Sequence, residues 1–182
     1  MPITLTTSRL VLRPLRRADL ADLVALDRDP EVMRYVGSPA GVKSLEETRT
    51  RARVRIEESE AGQHAPLGFW RIEARNDGAF LGVAALIRMP DGDDVEVAYR
   101  LARAAWGQGI ATEAAGALVA HGLRTLGLPR LVAVTYPENR ASQGVLDKLG
   151  FERRGLVEYN GVQTTFHVLT REAWSARAGR RD

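Results

Sequence analysis

At 182 residues, 45% hydrophobic and 27% charged, the chain has the length and composition of one globular domain with a substantial core. A net charge of +3, spread along the sequence, argues against a direct nucleic-acid binder, and zero cysteines exclude disulfides, thiolate nucleophiles and cysteine-ligated metals. No apolar run of about 18 residues marks a membrane span. Met1-Pro2-Ile3-Thr4 opens no secretory leader, so a cytoplasmic protein with one domain over 1–182 is expected, its core at 7–174 and a frayed tail at 175–182.

Arg9-Leu10-Val11-Leu12-Arg13-Pro14 alternates as a first strand. Asp19 is placed to cap a helix carrying Leu20, Leu23, Val24 and Asp27, which Asp29-Pro30 ends. Ser44-Leu45-Glu46-Glu47 fits a capping box opening a helix to about Glu60, with Gly62 as its stop. The basic residues Arg49, Arg51, Arg53 and Arg55 on this helix read as a solvated face. Three strands follow, 68–74, 80–87 and 95–101, joined by turns at Asn76-Asp77-Gly78 and Pro90-Asp91-Gly92-Asp93. These short connections predict an antiparallel meander.

Trp106-Gly107-Gln108-Gly109-Ile110-Ala111-Thr112-Glu113-Ala114-Ala115 follows the third of these strands. Two glycines are followed at once by a helical stripe of Ala111, Ala115, Leu118, Val119, Gly122, Leu123 and Leu126, predicting a helix over 110–126. Strand, glycine turn and helix N-terminus form an anion site, because the first helical N–H groups have no intrahelical acceptor. A pyrophosphate-bearing cofactor is the natural ligand. The P-loop lysine is missing, and no repeated βαβ pattern supports a dinucleotide fold. Leu131-Val132-Ala133-Val134 reads as a buried strand parallel to 95–101, followed by a helix at Arg140–Leu149 closed by Gly150. A hairpin turns at Asn160-Gly161.

Val95-Glu96-Val97-Ala98-Tyr99-Arg100-Leu101, followed by Trp106 to Ala114, resembles the signature of GCN5-related N-acetyltransferases, and more narrowly the RimJ/RimL branch. Thr7-Ser8-Arg9-Leu10-Val11-Leu12-Arg13, Asp29-Pro30-Glu31-Val32-Met33-Arg34-Tyr35, Asn139-Arg140-Ala141-Ser142 with Leu146 to Phe151, and Gly161 to Trp174 are similar to that branch in the same order. The resemblance implies a mixed α/β fold. Its bent sheet of about seven strands would be split between the fourth and fifth and flanked by about four helices. Acetyl-CoA would lie in the split, with its pyrophosphate on the N–H groups of Gln108, Gly109, Ile110, Ala111 and Thr112. It also implies that a backbone N–H near Val97 or Tyr99 polarises the thioester, and that Asn139 contacts the pantetheine arm or a bound water.

Acetyl transfer to an amine requires a base, a polarised carbonyl and an acid for the departing thiolate. Glu96 is the candidate base, acting directly or through water; as a bare sequence feature it is equally a charged strand residue. Asp93 and Asp94 read as turn residues. The tyrosine that many family members carry in the later helix is replaced by Leu146, so the resemblance passes the acid to Ser142, while Asn139 and Ser142 also read as a helix cap. Tyr136 is a further acid candidate that reads first as packing, as does Trp106. His64 reads as a loop residue and His121 as structural; His167 reads as a packed strand residue or part of the acceptor pocket, and the three give no metal-site spacing. Met33, Tyr35, Val36 and the last hairpin are expected to line that pocket. The expected reaction is transfer from acetyl-CoA to a primary amine by direct attack, the acceptor being a protein N-terminus or a small molecule. The rival reading is a non-catalytic acyl-CoA sensor, and a homodimer is compatible with either.

Overall fold

The computed structural model describes residues 3–36, 43–90 and 92–179. Its elements are β1 (Leu5–Thr6), β2 (Leu10–Pro14), α1 (Leu20–Arg28), α2 (Pro30–Met33), α3 (Leu45–Glu60), β3 (Gly68–Ala74), β4 (Phe80–Arg88) and β5 (Val95–Leu101), then α4 (Ile110–Ala120), β6 (Arg130–Thr135), α5 (Arg140–Leu149), β7 (Glu152–Tyr159), β8 (Val162–Thr170) and α6 (Arg171–Ala178). Among the described residues this gives eight strands and six helices, against the expected seven and four. The additions are β1, two residues held only by pairing with β2, the single turn α2, and α6.

All eight strands share one sheet in the order β1-β2-β3-β4-β5-β6-β8-β7. β1 to β5 form an antiparallel meander, and β6, β8 and β7 are antiparallel to one another. The two halves meet at the parallel pair β5/β6, which is in register only at Glu96↔Val132. Beyond that point the strands part. This is the expected split; it falls between β5 and β6 once β1 is counted.

The alternation of β5 assigns its two faces. Val95, Val97, Tyr99 and Leu101 join the larger core, packed with Ala114, Ala115, Leu118 and Leu123 of the α4 region. On the other face a smaller core under α1 and α3 holds Leu23, Leu26, Ala52, Ile56 and Val83. Gly82 allows β4 to approach β5 closely: a Cβ there would lie 2.4 Å from the Arg100 carbonyl oxygen.

Several local expectations are met. Ser44 and Glu47 form the capping box of α3, with Ser44 Oγ accepting from the Glu47 N–H at 3.2 Å and Glu47 Oε2 accepting from the Ser44 N–H at 3.0 Å. Asn160 and Gly161 both take positive φ, 52° and 75°, as a type I′ hairpin turn requires. Other expectations are corrected. Asp19 makes no side-chain cap of α1. Its carboxylate instead accepts from Arg13 at 2.8 and 2.9 Å and from the Arg16 N–H at 2.8 Å, because a buried carboxylate needs charged partners. The 110–126 helix is α-helical only to Ala120 and continues as a π turn over His121–Thr125. That wider turn sets Gly122 against Leu131, where a Cβ would approach to 3.0 Å. The expected tail is helical through Ala178, with Thr170 Oγ1 capping it by accepting from the Ala173 N–H at 3.2 Å. Residues 180–182 of that tail, and Asp91 of the expected turn, lie outside the described residues. Arg55 does not belong to a solvated face, since it pairs with buried Asp27 at 2.8 Å. Among the described residues no helix is long and apolar enough to cross a membrane.

Candidate active site

Where β5 and β6 part, a cavity of about 590 Å³ opens, running from α2 and the β7–β8 hairpin to the start of α4. Its walls include Glu96 to Leu101 of β5, Ala133 to Tyr136 at the end of β6, the α4 N-terminus, and Asn139, Ala141 and Ser142 at the start of α5.

The α4 end is built by the glycine turn. Gly107 and Gly109 sit at φ 73° and 76°, the left-handed region open to glycine at little cost. Gly109 is the N-cap, and the first backbone bond of the helix runs from the Glu113 N–H to the Gly109 carbonyl at 3.1 Å. The N–H groups of Ile110, Ala111 and Thr112 therefore precede the helical ladder, and these residues line the cavity. Gln108 does not line it; its side chain donates to the Ala104 carbonyl at 2.7 Å. Trp106 ties the turn to β5, donating from Nε1 to the Leu101 carbonyl at 2.9 Å.

A clamp that sequence reasoning did not assign braces this turn. Glu113 Oε1 accepts from Thr7 Oγ1 at 2.6 Å, Ser8 Oγ at 3.0 Å and the Arg9 N–H at 2.9 Å, while Arg9 Nε donates to Oε2 at 2.6 Å. Arg9 Nη1 reaches on to the Gln108 carbonyl at 2.9 Å. These bonds hold the Glu113 carboxyl down to about 2 against the opposing effect of burial. The Thr7-Ser8-Arg9 run was visible, but its partner lies over 100 residues away.

At the parting of the strands sits Glu96, 5% exposed. Burial pushes its carboxyl up to about 7, opposed by the Tyr159 hydroxyl, which donates to Oε2 at 3.1 Å, and by the Val134 backbone. Tyr159 is itself held up at about 12, by burial and by the carboxylate beside it. Tyr159 was missed in the sequence: it directly precedes the Asn160-Gly161 turn, but only the fold shows that this hairpin tip reaches β5.

On the opposite face of β5 Tyr99 meets α5. Its hydroxyl lies 3.0 Å from Ser142 Oγ and 3.2 Å from the Ser142 carbonyl, and burial pushes it up to about 12. Asn139 caps α5, its Oδ1 accepting from the Ser142 N–H at 3.1 Å, and it also lines the cavity. Val97 and Tyr99 both line the cavity as well.

Tyr35 and Val36 line the opposite end together with Glu31, Val32 and Arg34. Met33 does not line it. Tyr35 packs on Tyr136 with ring centroids 5.8 Å apart. His167 is fully packed in β8 and does not line the cavity. His121 packs edge-on to Trp70, and His64 lies 3.2 Å from Glu58 on the surface. Among the described residues no cluster of His, Cys, Asp or Glu is arranged to hold a metal.

A split mixed sheet, a helix N-terminus at one end of the split and a buried carboxyl within it define the class of a cofactor-dependent group-transfer enzyme. Residues 9–152 match the acetyltransferase (GNAT) domain family, and the chain belongs to that family. It is therefore an acetyl-CoA-dependent N-acetyltransferase by class. It is 30% identical to the uncharacterized N-acetyltransferase YoaA of Bacillus subtilis, over 84% of this chain and 85% of that protein. Among solved structures, an acetyltransferase from Agrobacterium tumefaciens is 27% identical with a TM-score of 0.78, covering 92% of this chain and 94% of that one. The ribosomal-protein acetyltransferase RimL, solved in complex with coenzyme A, shares the fold at 23% identity and a TM-score of 0.75, covering 92% of this chain and 98% of that one.

Proposed function

We propose that the protein moves the acetyl group of acetyl-CoA to a primary amine by direct attack within a ternary complex. The observation that carries this reading is a buried carboxyl held near 7 at the point where the strands part, in one cavity with the open N-terminus of α4. A base with that pKa is half ionised at neutral pH and accepts a proton from an ammonium group without being trapped in either state.

The N–H groups of Ile110, Ala111 and Thr112, with the Gln108–Gly109 turn, would hold the pyrophosphate; the RimL complex supports a coenzyme in this fold. Asn139 would meet the pantetheine arm. Glu96, directly or through one water, takes a proton from the amine. The nitrogen then bonds to the thioester carbon, whose oxygen is stabilised by a strand N–H at Val97 or Tyr99. As the C–S bond breaks, Ser142 Oγ gives the thiolate a proton, the nitrogen releases its second proton to water in the cavity, and that water restores the serine, whose Oγ is held 3.0 Å from the Tyr99 hydroxyl. With no cysteine in the chain, no acyl-thioenzyme is required.

The test is acetyl-CoA thiol release against amino acids, polyamines and N-terminal peptides, with coenzyme binding by calorimetry. Release with one acceptor class supports transfer. Glu96→Gln should then lower turnover by roughly 10²- to 10⁴-fold while coenzyme affinity holds. Coenzyme binding without release to any acceptor would favour a sensor, and absence of binding would remove the pyrophosphate reading.

A further inference from the structure

We propose that the acceptor is an amine that also carries a carboxylate, which Arg100 receives at the far end of the lobe from Glu96. This rests on the reading of Glu96 as the residue that meets the amine.

Alternation along β5 puts Glu96, Ala98 and Arg100 on the face away from α4. Register sets Ala85 and Val83 of β4 beside Ala98 and Arg100, and Phe69 of β3 beside Ala85. All six residues line the cavity. The floor is thus apolar, shallow at the two alanines, and bounded by one charged group at each end. Four residues of strand separate Glu96 from Arg100 by about 13 Å between Cα atoms. An amino acid contacting both groups spans about 9 Å with its two hydrogen bonds, and the side chains reach across the remainder.

The charge at the Arg100 end is unbalanced. The Asp27 carboxylate accepts from Arg100 Nε at 2.7 Å and Nη2 at 3.1 Å, and also from Arg55 Nη1 at 2.8 Å. One buried carboxylate therefore serves two guanidiniums, leaving one positive charge in excess. A buried cation without a full counterion is unfavourable, and an anion bound from the cavity would supply the balance. Among the described residues Arg100 Nη1 makes no hydrogen bond, and the Arg100 side chain is 12% exposed at the cavity wall. Glu31 and Arg34, exposed at the rim, carry opposite charges and leave this balance unchanged. A polyamine would bring a further cation against the two guanidiniums.

The experiment measures binding of reaction products, so it does not depend on turnover. The CoA-loaded protein is titrated with N-acetyl-leucine, N-acetyl-leucinamide and an N-acetyl-leucyl-aspartyl diamide. The expected result is binding of at least one carboxylate ligand about 10- to 100-fold tighter than N-acetyl-leucinamide, as for a charge-assisted hydrogen bond. Preference for N-acetyl-leucine identifies a free amino acid, and preference for the aspartyl ligand identifies a peptide with an acidic side chain. Arg100→Met, which leaves Asp27 its partner Arg55, should erase the preference. Equal affinities, no binding of any ligand, or a preference surviving in Arg100→Met would overturn the proposal. The comparison of acid with amide in the unaltered protein decides the matter should Arg100→Met not fold. Thiol release to uncharged amines at equal efficiency would remove the carboxylate requirement alone, whereas loss of coenzyme binding would remove the transferase reading beneath it.

Discussion

Tyr159→Phe removes the hydroxyl that donates to Glu96 at 3.1 Å and leaves the ring in place. That bond favours the ionised carboxylate and works against burial, the larger influence; together they set the group near 7. A hydrogen bond to a charged group contributes about 1.5 kcal/mol at the lower end of its range, which suits a 3.1 Å bond and corresponds to about one pKa unit. In the variant Glu96 should therefore titrate near 8. If Glu96 must be ionised to act, kcat/KM for thiol release rises with pH through its pKa. At pH 7 the ionised fraction would fall from about one half to about one tenth, a loss of about fivefold, and the two enzymes should converge above about pH 9. The assay is the pH profile of kcat/KM, with coenzyme affinity measured alongside. A uniform loss at every pH, or a limb that stays in place, would refute the coupling and leave Tyr159 a packing residue.

Glu96→Gln should stabilise the fold at pH 8. A carboxyl raised from 4.5 to about 7 binds its proton more tightly in the folded state, so it weakens folding as pH climbs from the first value to the second. The gain should approach about 3 kcal/mol above that window and vanish below it, as urea unfolding at several pH values would show. Ser142→Ala should lower turnover by about 10- to 100-fold with coenzyme affinity kept, since the Asn139 cap uses the Ser142 backbone; an unchanged rate would assign the acid to water. Glu113→Gln should lower Tm at neutral pH. The Glu113 carboxylate, held down to about 2, contributes stability that is present above the ordinary carboxyl range and lost as pH falls toward 2, so the deficit should shrink in acid. Gly82→Ala should destabilise by more than about 3 kcal/mol, because its Cβ would meet backbone rather than a movable side chain; a small change in the urea midpoint would show that β4 can shift.

What was legible in the sequence is what neighbouring residues decide. The Ser44/Glu47 box, the Gly109 N-cap and the Asn160-Gly161 turn each depend on a few adjacent dihedrals, and each formed where the residues place it. β1 could not be read, since two residues have no period and depend on pairing with Leu12 and Val11. Asp19 looked like a cap because position alone suggests one, yet Arg13 and Arg71 compete more strongly for a buried carboxylate. Glu96 was legible as a candidate from its place before the glycine turn. Its partner Tyr159 was not, because 63 residues and the strand order β6-β8-β7 separate the two. The Asp27–Arg55–Arg100 cluster was hidden for the same reason, its members sitting on three separate elements.

The division of labour along β5 follows from strand geometry. Successive side chains point to opposite faces, so one seven-residue strand serves two sites. Val97 and Tyr99 turn toward α4 and α5, where the glycine turn and Ser142 lie. Glu96 and Arg100 turn toward α1 and the hairpin, where Tyr159 and Asp27 hold them. A group lying in the split contacts both faces only because β6 leaves the ladder immediately after Val132. Had the parallel pairing continued past Glu96, the strand N–H groups facing β6 would be spent on the ladder. The parting of β5 and β6 is thus what leaves a buried acid, otherwise a burden on stability, facing a cavity.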